Sequence, residues 1–310
     1  MISVIMSTYN EPIEFIRQSV QSILKQTFKD IEFIIVIDNP NRKDITNYFK
    51  EEKKHDARIR IIKNKENIGL AASLNKAIDC ASGKYIARMD ADDISEIDRL
   101  EKQRRFLLAN NLDLVGCNIR NIDEKSCNIS NSNSLYPTSN DVIRRYLRFD
   151  SAIPHPTWFA RAEVLKNNKY NNLRASQDYE LLTRLATKGY KLGNVKEILL
   201  NYRINSDSIS ATKKVLQKTV KYYASINYKK KRMGSIEDYN KYLNNPLGQK
   251  RIEQLEKYQI GINALKKDNS PKIILQSKYI LFSFKSRIAR ENIINELKKI
   301  YLRIRYAKSF

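Results

Sequence analysis

The sequence predicts an α/β protein with a doubly wound, mostly parallel sheet, followed by a helical region rich in basic residues. Two observations predict this fold class. Short β-branched runs alternate with segments whose apolar residues recur at helical spacing, four times in fewer than 100 residues. Beyond residue 211 this alternation gives way to long Lys- and Tyr-rich segments of helical character.

The first predicted elements follow one another as strand and helix. Ile2–Ser7 is an apolar run that predicts a strand, and the apolar residues between Phe15 and Leu24 have helical spacing. Ile31–Ile37 is a nearly continuous β-branched run, typical of a strand buried in a parallel sheet. We expect a helix at 45–54, a strand at 58–63, a helix opened by 67–69 that runs to 81, and a strand at 85–90.

After residue 99 the predicted elements are less regular. We expect helices at 99–110, 141–149, 162–167 and 178–188, a strand segment at 112–121, a surface loop at 126–140, and a last strand pair or a strand and turn at 195–205. These elements divide the chain into an α/β domain at 1–210, with halves at 1–93 and 94–210, and a basic helical region at 211–310.

Three carboxylates, Asp90, Asp92 and Asp93, lie within four positions at the end of a predicted strand. Like charges this close repel one another unless a cation neutralises them. Mg²⁺ and Mn²⁺ prefer such oxygen ligands and complete their coordination with substrate phosphates. The alternative is a solvated acidic turn that caps a helix beginning near Ser95.

Two further polar clusters follow predicted strands, at Thr8–Asn10 and at Asp38–Asn39. Because ligands of doubly wound sheets bind outside the carboxyl ends of the strands, we expect both clusters to lie beside the three carboxylates. Their convergence favours a binding site over an isolated acidic turn.

Composition excludes several classes of protein. The chain has 310 residues with 42% hydrophobic content, enough for one good core and a smaller second one. Three cysteines without a close pair and two histidines argue against a disulfide framework or a zinc cage, so a reducing cytoplasm fits. The first residues predict a strand and not a signal peptide, and no stretch reaches the roughly 20 apolar residues that a membrane span requires.

The net charge of +23 is concentrated in the C-terminal region, where residues 211–310 carry 24 Lys and Arg against 7 Asp and Glu. Such a region suits nucleic acid, an anionic membrane surface or an acidic polymer. Its basic helical pattern with interleaved aromatic residues favours the membrane surface. The alternative is a helical cap that packs on the catalytic domain and leaves a solvated basic face, and both can hold at once.

Six segments together resemble the family 2 glycosyltransferases, nucleotide-sugar-dependent enzymes of the GT-A fold that build bacterial surface polysaccharides. The resemblance covers residues 1 to about 210, and the segments occur in the family's order. They are SVIMSTYN at 3–10, FIIVIDN at 33–39, NIGLA at 67–71 with Asn75, RMDADD at 88–93, QDYEL at 177–181 and YRINSDSIS at 202–210.

The resemblance implies that residues 1–93 form a nucleotide-binding half. Asp38 would accept the N3 hydrogen of a uracil ring, although a loop carboxylate or helix cap is its alternative role. Asp92 would ligate Mn²⁺ or Mg²⁺ at the diphosphate, and Asp90 would bind the ribose or the metal through water. Asp93 would cap the next helix or support the metal ligands. The expected donor-binding set also includes Thr8, Tyr9, Asn10, Asn67, Gly69, Asn75, Arg88, Ala91 and Arg203.

The same resemblance implies that residues 94–210 form an acceptor-binding half. Asp178 matches the family's catalytic base, with Gln177 where the family usually has Glu; a helix N-cap is the alternative for Asp178. His155 and Trp158 lie where the family lines the acceptor site, and packing is the alternative for both. Asn205 stands where the family often has a metal-binding histidine, and we expect its amide oxygen to serve as a weak ligand.

The predicted function is therefore an inverting, metal-dependent hexosyltransferase. It would move a hexose or N-acetylhexosamine from a UDP-sugar to a hydroxyl of a glycan acceptor, lipid-linked, at the cytoplasmic face of a bacterial membrane, and no nucleic acid is expected as a partner. If Asp178 is not the base, a retaining mechanism is the alternative.

Two other functions are alternatives to this one. A nucleic-acid-binding protein would use the basic C-terminal region, but it leaves Asp90, Asp92 and Asp178 unexplained. A metal-dependent nucleotidyltransferase would need a basic or Gly-rich triphosphate loop near the N-terminus, where the chain instead has TYNEP at 8–12.

Overall fold

A computed structural model describes residues 1–129, 134–204, 214–267 and 272–310. Within these residues a single eight-stranded sheet forms the centre of the molecule. Its strands are β1 (Ile2–Thr8), β2 (Ile31–Ile37), β3 (Ile59–Lys63), β4 (Tyr85–Asp90), β5 (Ile94–Ser95), β6 (Leu114–Ile122), β7 (Phe159–Arg161) and β8 (Leu192–Arg203). Their order across the sheet is β3-β2-β1-β4-β7-β6-β8-β5.

The first half of the sheet is parallel, as the alternating pattern predicts. β1 pairs in parallel with β2 on one side and β4 on the other, and β2 pairs in parallel with β3. Every residue of β1 and β2 is buried, which explains their continuous apolar sequences. The crossover helices are α1 (Ile13–Leu24), α2 (Lys43–His55) and α3 (Leu70–Cys80).

The second half of the sheet is mixed. β7 is antiparallel to β4 and β6, while β8 is parallel to β6 and antiparallel to β5. Its helices are α4 (Arg99–Ala109), α5 (Asn140–Tyr146), α6 (Ala162–Asn167) and α7 (Gln177–Thr187). The α/β fold class is thus confirmed. The strands β5 and β7 were not predicted, because two or three residues are too few to show the alternation of apolar and polar side chains that is typical of a strand.

Two expectations about local structure in this half were wrong. A helix does not begin near Ser95, because Ile94 and Ser95 pair with β8 and α4 begins at Arg99. The final segment is one strand of 12 residues that pairs with β6 with two shifts of register, so the strand-pair alternative was wrong. The strand-and-turn alternative stays a prediction, because its end at residue 205 lies outside the described residues.

Two apolar clusters form the core. One contains Ile5, Ile34 and Trp158, and the other contains Val4, Met6 and Phe159. Neighbouring residues of one strand fall into different clusters because successive side chains of a strand point to opposite faces of the sheet. The sheet is therefore covered on both faces, with its carboxyl edge left free for a site.

The described part of the C-terminal region contains five α-helices, followed by a short 3₁₀ helix at Ala307–Ser309. The α-helices are α8 (Lys214–Lys229), α9 (Ile236–Asn244), α10 (Pro246–Lys267), α11 (Lys272–Lys285) and α12 (Arg287–Arg305). None of these helices, nor any other in the portion described, offers an apolar stretch sufficient to reach across a bilayer. The predicted boundary at 210/211 lies outside the described residues, so the domain division stays a prediction.

Asp150 connects this helical region to the α/β domain through two ion pairs. Its carboxylate forms ion pairs with Lys221 of α8 and, at 3.0 Å, with Lys299 of α12. Burial alone would raise the pKa of Asp150, but the two ammonium groups outweigh burial and lower the pKa to about 2. At the chain end, the Thr138 amide donates to the Ser309 carbonyl at 2.7 Å. The last helix is thus held at two points.

We expect Asp150→Asn to lower the free energy of unfolding by about 2 kcal/mol near neutral pH, because two ammonium groups lose their counter-charge. The pKa of this carboxyl is depressed in the folded state, so its contribution is present above the ordinary pKa of Asp, about 4, and is lost toward pH 2. Urea unfolding of both proteins at several pH values should show the difference shrinking over that window.

The matched control is Asp141→Asn, because Asp141 is an exposed residue of α5. Because Asp141 lies in the first turn of that helix, where a carboxylate is only weakly stabilising, its loss should lower the free energy of unfolding by less than about 1 kcal/mol. A stability loss at Asp150 that is independent of pH would contradict the ion-pair explanation.

Candidate active site

The loops after β1 and β2 meet at the carboxyl edge of the sheet. The Asp38 amide donates to the Thr8 carbonyl at 2.8 Å, and the Asn39 side-chain amide donates to Asn10 Oδ1 at 2.7 Å. Tyr9 lies between these contacts with 41% of its surface exposed, so its ring is available for stacking. The structure thus brings together the polar residues that the sequence placed after these two strands.

Glu11 organises the first of these loops. Its Oε2 accepts hydrogen bonds from the Thr8 hydroxyl and the Tyr9 amide, both at 2.7 Å. The same carboxylate is one of the charges that raise the pKa of Asp92. Sequence reasoning did not select Glu11, although its place directly after the Thr8–Asn10 segment was a usable signal.

Asp90, Asp92 and Asp93 form the carboxylate cluster, with one oxygen from each residue within 4.8 Å of the others. Burial raises the pKa of Asp92 to about 7, and the charges of Asp90 and Glu11 add to the effect. Ala91, between the first two, is 2% exposed and fixes the turn against the core. An all-oxygen donor set of this kind fits Mn²⁺ or Mg²⁺.

Asp93 is fully buried and faces β8. Its Oδ1 accepts the Arg203 amide at 2.9 Å, whereas its Oδ2 has no hydrogen-bond partner among the described residues. Burial, followed by the charges of Asp92 and Asp90, raises its pKa. The expectation that Asp93 caps the next helix was wrong, since the N-cap of α4 is Asp98. Its alternative role beside the metal ligands stays a prediction.

Arg203 is 2% exposed and holds the loop that carries Asp92. Its Nε donates to the Asp92 carbonyl at 2.8 Å, and its Nη2 donates to Gln18 Oε1 at 2.7 Å. The remaining donors go to the Asp123 and Glu124 carbonyls and the Ser126 hydroxyl. All five guanidinium donors are therefore bound within the protein. A contact to the donor, which the family resemblance implies for Arg203, would have to replace some of these bonds.

Arg88 lies beneath the cluster and is 2% exposed. Its Nη2 forms an ion pair with Asp90. Its Nε and Nη1 have no hydrogen-bond partner in the described part of the chain. A buried guanidinium with free donors beside a metal-type cluster is suited to an anionic ligand.

Asp38 is 3% exposed and organises the loop that precedes α3. It accepts hydrogen bonds from the Asn64 side chain at 2.8 Å and from the amides of Ile68 and Gly69 at 3.0 and 2.9 Å. Gly69 has φ +85°, a conformation that favours glycine, and its amide also donates to Asn67 Oδ1 at 2.9 Å. The loop-carboxylate alternative describes these contacts, and a contact to uracil stays a prediction.

Asn75 clamps the backbone of Tyr170 through two hydrogen bonds of 2.9 Å. The Tyr170 hydroxyl is 2.7 Å from His155 Nε2. Burial, and then the positive charge of Arg88, lower the pKa of His155 well below its ordinary value, so the imidazole is neutral near pH 7. Tyr170 was missed by sequence reasoning because it lies between α6 and α7 without a motif.

Asp178 lies in the first turn of α7, partly buried. Its carboxylate makes no hydrogen bond or ion pair with any described residue, and its charge acts on Tyr170. The N-cap of α7 is Ser176, so the capping alternative for Asp178 was wrong. Gln177 donates to the Leu173 carbonyl at 2.6 Å.

Trp158 is 1% exposed, and its ring stacks on Tyr170 at 6.1 Å and meets His155 edge-on at 4.8 Å. Packing is thus the role that these contacts support for Trp158. Asn205, the expected additional metal ligand, lies outside the described residues.

Comparison with known proteins identifies the family. Residues 3–168 match the family described as Glycosyl transferase family 2. The chain is 41% identical over 227 residues to an uncharacterized glycosyltransferase of Methanocaldococcus jannaschii, covering 72% of this chain and 77% of that protein. The chain belongs to glycosyltransferase family 2. The family 2 resemblance and the expectation of a transferase are therefore confirmed.

A further relative of this family 2 transferase is the O-antigen biosynthesis glycosyltransferase WbnJ of Escherichia coli, 36% identical over 211 residues that span 67% of this chain and 81% of that protein. Two solved structures share its fold. The mannosyltransferase PcManGT of Pyrobaculum calidifontis, in complex with GDP-Man and Mn²⁺, has a TM-score of 0.59 at 14% identity and covers 98% of this chain and 86% of its own. S. aureus TarS 1–349 with UDP-GlcNAc has a TM-score of 0.58 at 17% identity and covers 82% and 69%. The GT-A-like fold is confirmed.

We expect Arg203→Lys to lower the free energy of unfolding of the transferase by about 3 kcal/mol, because a lysine cannot reproduce the five-donor fork of a buried guanidinium. Loss of the hydrogen bond to the Asp92 carbonyl should also make the loop that carries Asp92 less rigid, so Mn²⁺ should bind more weakly. Urea unfolding measures the first effect, and calorimetric titration with Mn²⁺ measures the second as weaker binding.

Arg120→Lys serves as the control, since Arg120 lies on β6 with 35% of its side chain exposed. It should change neither property. Stability of the Arg203 variant equal to that of the wild type would contradict the role of this residue in holding the loop.

Proposed function

We propose that this chain is an inverting, metal-dependent transferase that moves a hexose or N-acetylhexosamine from a UDP-sugar to a hydroxyl of a glycan acceptor in bacterial surface-polysaccharide biosynthesis. The observation that carries the proposal is the cluster of Asp90, Asp92 and Asp93 at the carboxyl edge of a parallel sheet. The UDP-GlcNAc in S. aureus TarS and the O-antigen role in the name of the E. coli relative support the donor and the pathway.

The proposed nucleotide side of the site consists of the loops after β1, β2 and β4. Asp92, with Asp90 directly or through water, would hold Mn²⁺ or Mg²⁺, and Asn205 would complete the coordination. The bound ion would act as a Lewis acid toward the departing diphosphate. Arg88 has two nitrogen atoms that bind no hydrogen-bond partner among the described residues, and it would add positive charge beside the same phosphates. Tyr9, Asp38 and the loop that ends at Gly69 would bind the nucleoside.

The proposed acceptor side consists of Asp178, Gln177 and His155. Asp178 has a carboxylate without a hydrogen bond inside the described structure, as a base that awaits an acceptor hydroxyl would have. In the reaction the acceptor oxygen forms a bond to the anomeric carbon, the bond from that carbon to the diphosphate oxygen breaks, and Asp178 takes the hydroxyl proton. A neutral His155 would hydrogen-bond the acceptor without competing for that proton.

The proposed acceptor is a glycan carried on a lipid, so the enzyme would act at the cytoplasmic face of the membrane. The excess of Lys and Arg over residues 211–310 supports this location. We accordingly propose a division into a catalytic domain at 1–210 and a basic helical region at 211–310.

We expect Asp92→Asn to weaken Mn²⁺-dependent UDP binding about a hundredfold, because the amide supplies no charge to the ion. Calorimetric titration of UDP with Mn²⁺ and again with EDTA measures the effect, with GDP as the competing nucleotide. Asp141→Asn is the control and should bind like the wild type. UDP binding that is equally tight in EDTA would overturn the metal dependence.

Asp178→Asn should bind UDP like the wild type and transfer sugar at a rate lower by roughly 10²–10⁴, the usual contribution of a positioned base. Transfer from UDP-GlcNAc and related donors is followed by UDP release, and product anomers are identified by NMR. Loss of UDP binding in this variant, with the fold intact, would count against the base role. A retained anomeric configuration would replace the inverting mechanism.

A further inference from the structure

Helix α12 carries apolar residues on two opposite faces. Its inner face packs on the protein through Ile288 and Leu302, both less than a tenth exposed. Its outer face presents a row of large apolar residues at helical spacing. This outer stripe is Ile293, Ile294, Leu297, Ile300, Tyr301 and Ile304, between 38% and 74% exposed. A contiguous exposed stripe of this kind on a surface helix indicates a partner.

A cavity of about 510 Å³ adjoins the outer stripe. Tyr301 belongs to both, because it is part of the stripe and also lines the cavity. The other lining residues come from α8, from α12 and from α5 with the segment that follows it. They include four cationic side chains and an aromatic ring, namely Arg145, Arg148, Lys229, Lys298 and Phe149.

The four cations of this cavity form no ion pair with a carboxylate within the described ranges. Asp150, which directly follows Phe149 in the chain, is engaged by Lys221 and Lys299. Glu291, whose charge acts on Lys229, is paired with Arg251 and Arg287. Burial, and then the charges of Lys298 and Arg148, lower the pKa of Lys229, and the opposing charge of Glu291 does not outweigh them.

The ammonium groups of Lys298 and Lys229 lie 5.2 and 5.9 Å from the centre of the Phe149 ring. These cations thus converge on one apolar surface. A phosphate group attached to an apolar chain matches this combination, since its charge would meet the cations and its chain would continue onto the outer stripe.

We propose that α12 is a membrane-docking helix whose outer stripe enters the headgroup region of an anionic bilayer while the adjoining cavity holds the phosphate of a lipid. This site is separate from the carboxylate cluster and rests on the proposed function only in placing the enzyme at a membrane. It gives the basic region a defined binding face.

Charge favours a bilayer over a second copy of the chain as the occupant. The acids of α12 are already paired, Glu291 with Arg251 and Arg287, and Glu296 with Lys299. Arg290, Lys298 and Arg303 form no ion pair with a carboxylate in the part of the chain that is described. Two such faces would repel one another, whereas each basic residue near anionic headgroups is attracted.

The test is co-sedimentation of the full chain with vesicles of phosphatidylcholine alone or mixed with phosphatidylglycerol. The wild type should bind the mixed vesicles and should not bind the vesicles of phosphatidylcholine alone. Arg148→Ser/Lys298→Ser should weaken binding roughly thirtyfold, the effect of losing two interfacial cations. Leu297→Ser/Ile304→Ser should weaken it at least about tenfold and should remove the binding that persists at high salt.

Lys50→Ser/Lys53→Ser is the matched control, because it removes the same charge from exposed positions of α2. It should bind vesicles like the wild type. If it loses as much vesicle binding as Arg148→Ser/Lys298→Ser, the cavity is not a specific lipid site. If the protein binds inorganic phosphate or a short RNA at the cavity but does not bind vesicles, the lipid proposal is wrong. The ligand of the cavity would then be a free anion or a nucleic acid. If the wild type is a dimer and Leu297→Ser/Ile304→Ser abolishes the dimer, the occupant of the outer stripe is a second copy of the chain and not a bilayer.

UDP titration of every variant separates this inference from the proposed function. Normal UDP binding without vesicle binding would overturn only the docking helix. Vesicle binding without UDP binding would overturn only the donor assignment.

Discussion

Mutual repulsion within the carboxylate cluster is the constraint on which the rest of the structure depends. Asp90, Asp92 and Asp93 bring their oxygens within 4.8 Å of one another in a partly buried place. Two buried arginines oppose this repulsion. Arg88 pairs with Asp90 from below, and Arg203 holds the loop backbone from β8. The long β8 strand pairs with β6 from Leu192 to Arg203, with two shifts of register, and this pairing places Arg203 beside the cluster.

The proposed donor and acceptor sides are joined through one residue. Asn75 of α3 fixes the backbone of Tyr170, and the Tyr170 ring contacts both His155 and Trp158. The charges of Arg88 and Asp178 both act on Tyr170. A shift of this ring would therefore change the surroundings of one residue on each proposed side of the site. Close packing of the aromatic rings makes that arrangement stiff.

The C-terminal region packs as a helical cap, and this packing is compatible with the membrane role that we propose for it. Its helices pack on the α/β domain, with Asp150 neutralising Lys221 and Lys299 at the contact. The apolar side chains of α12 that this packing leaves outside are the basis for the proposed membrane contact. A cap and a docking surface are therefore compatible, because opposite faces of one helix serve them.

The sequence by itself determined the parallel half of the sheet and the family, because continuous β-branched runs such as Ile31–Ile37 and the motifs at their ends are local patterns. It also located Asp90 and Asp92, since both follow directly from a strand end. Only the tertiary structure decided the strands β5 and β7, the five partners of the Arg203 side chain and the place of Tyr170. Those features depend on residues up to 185 positions apart, such as Gln18 and Arg203, and no local period or propensity encodes a contact of that kind.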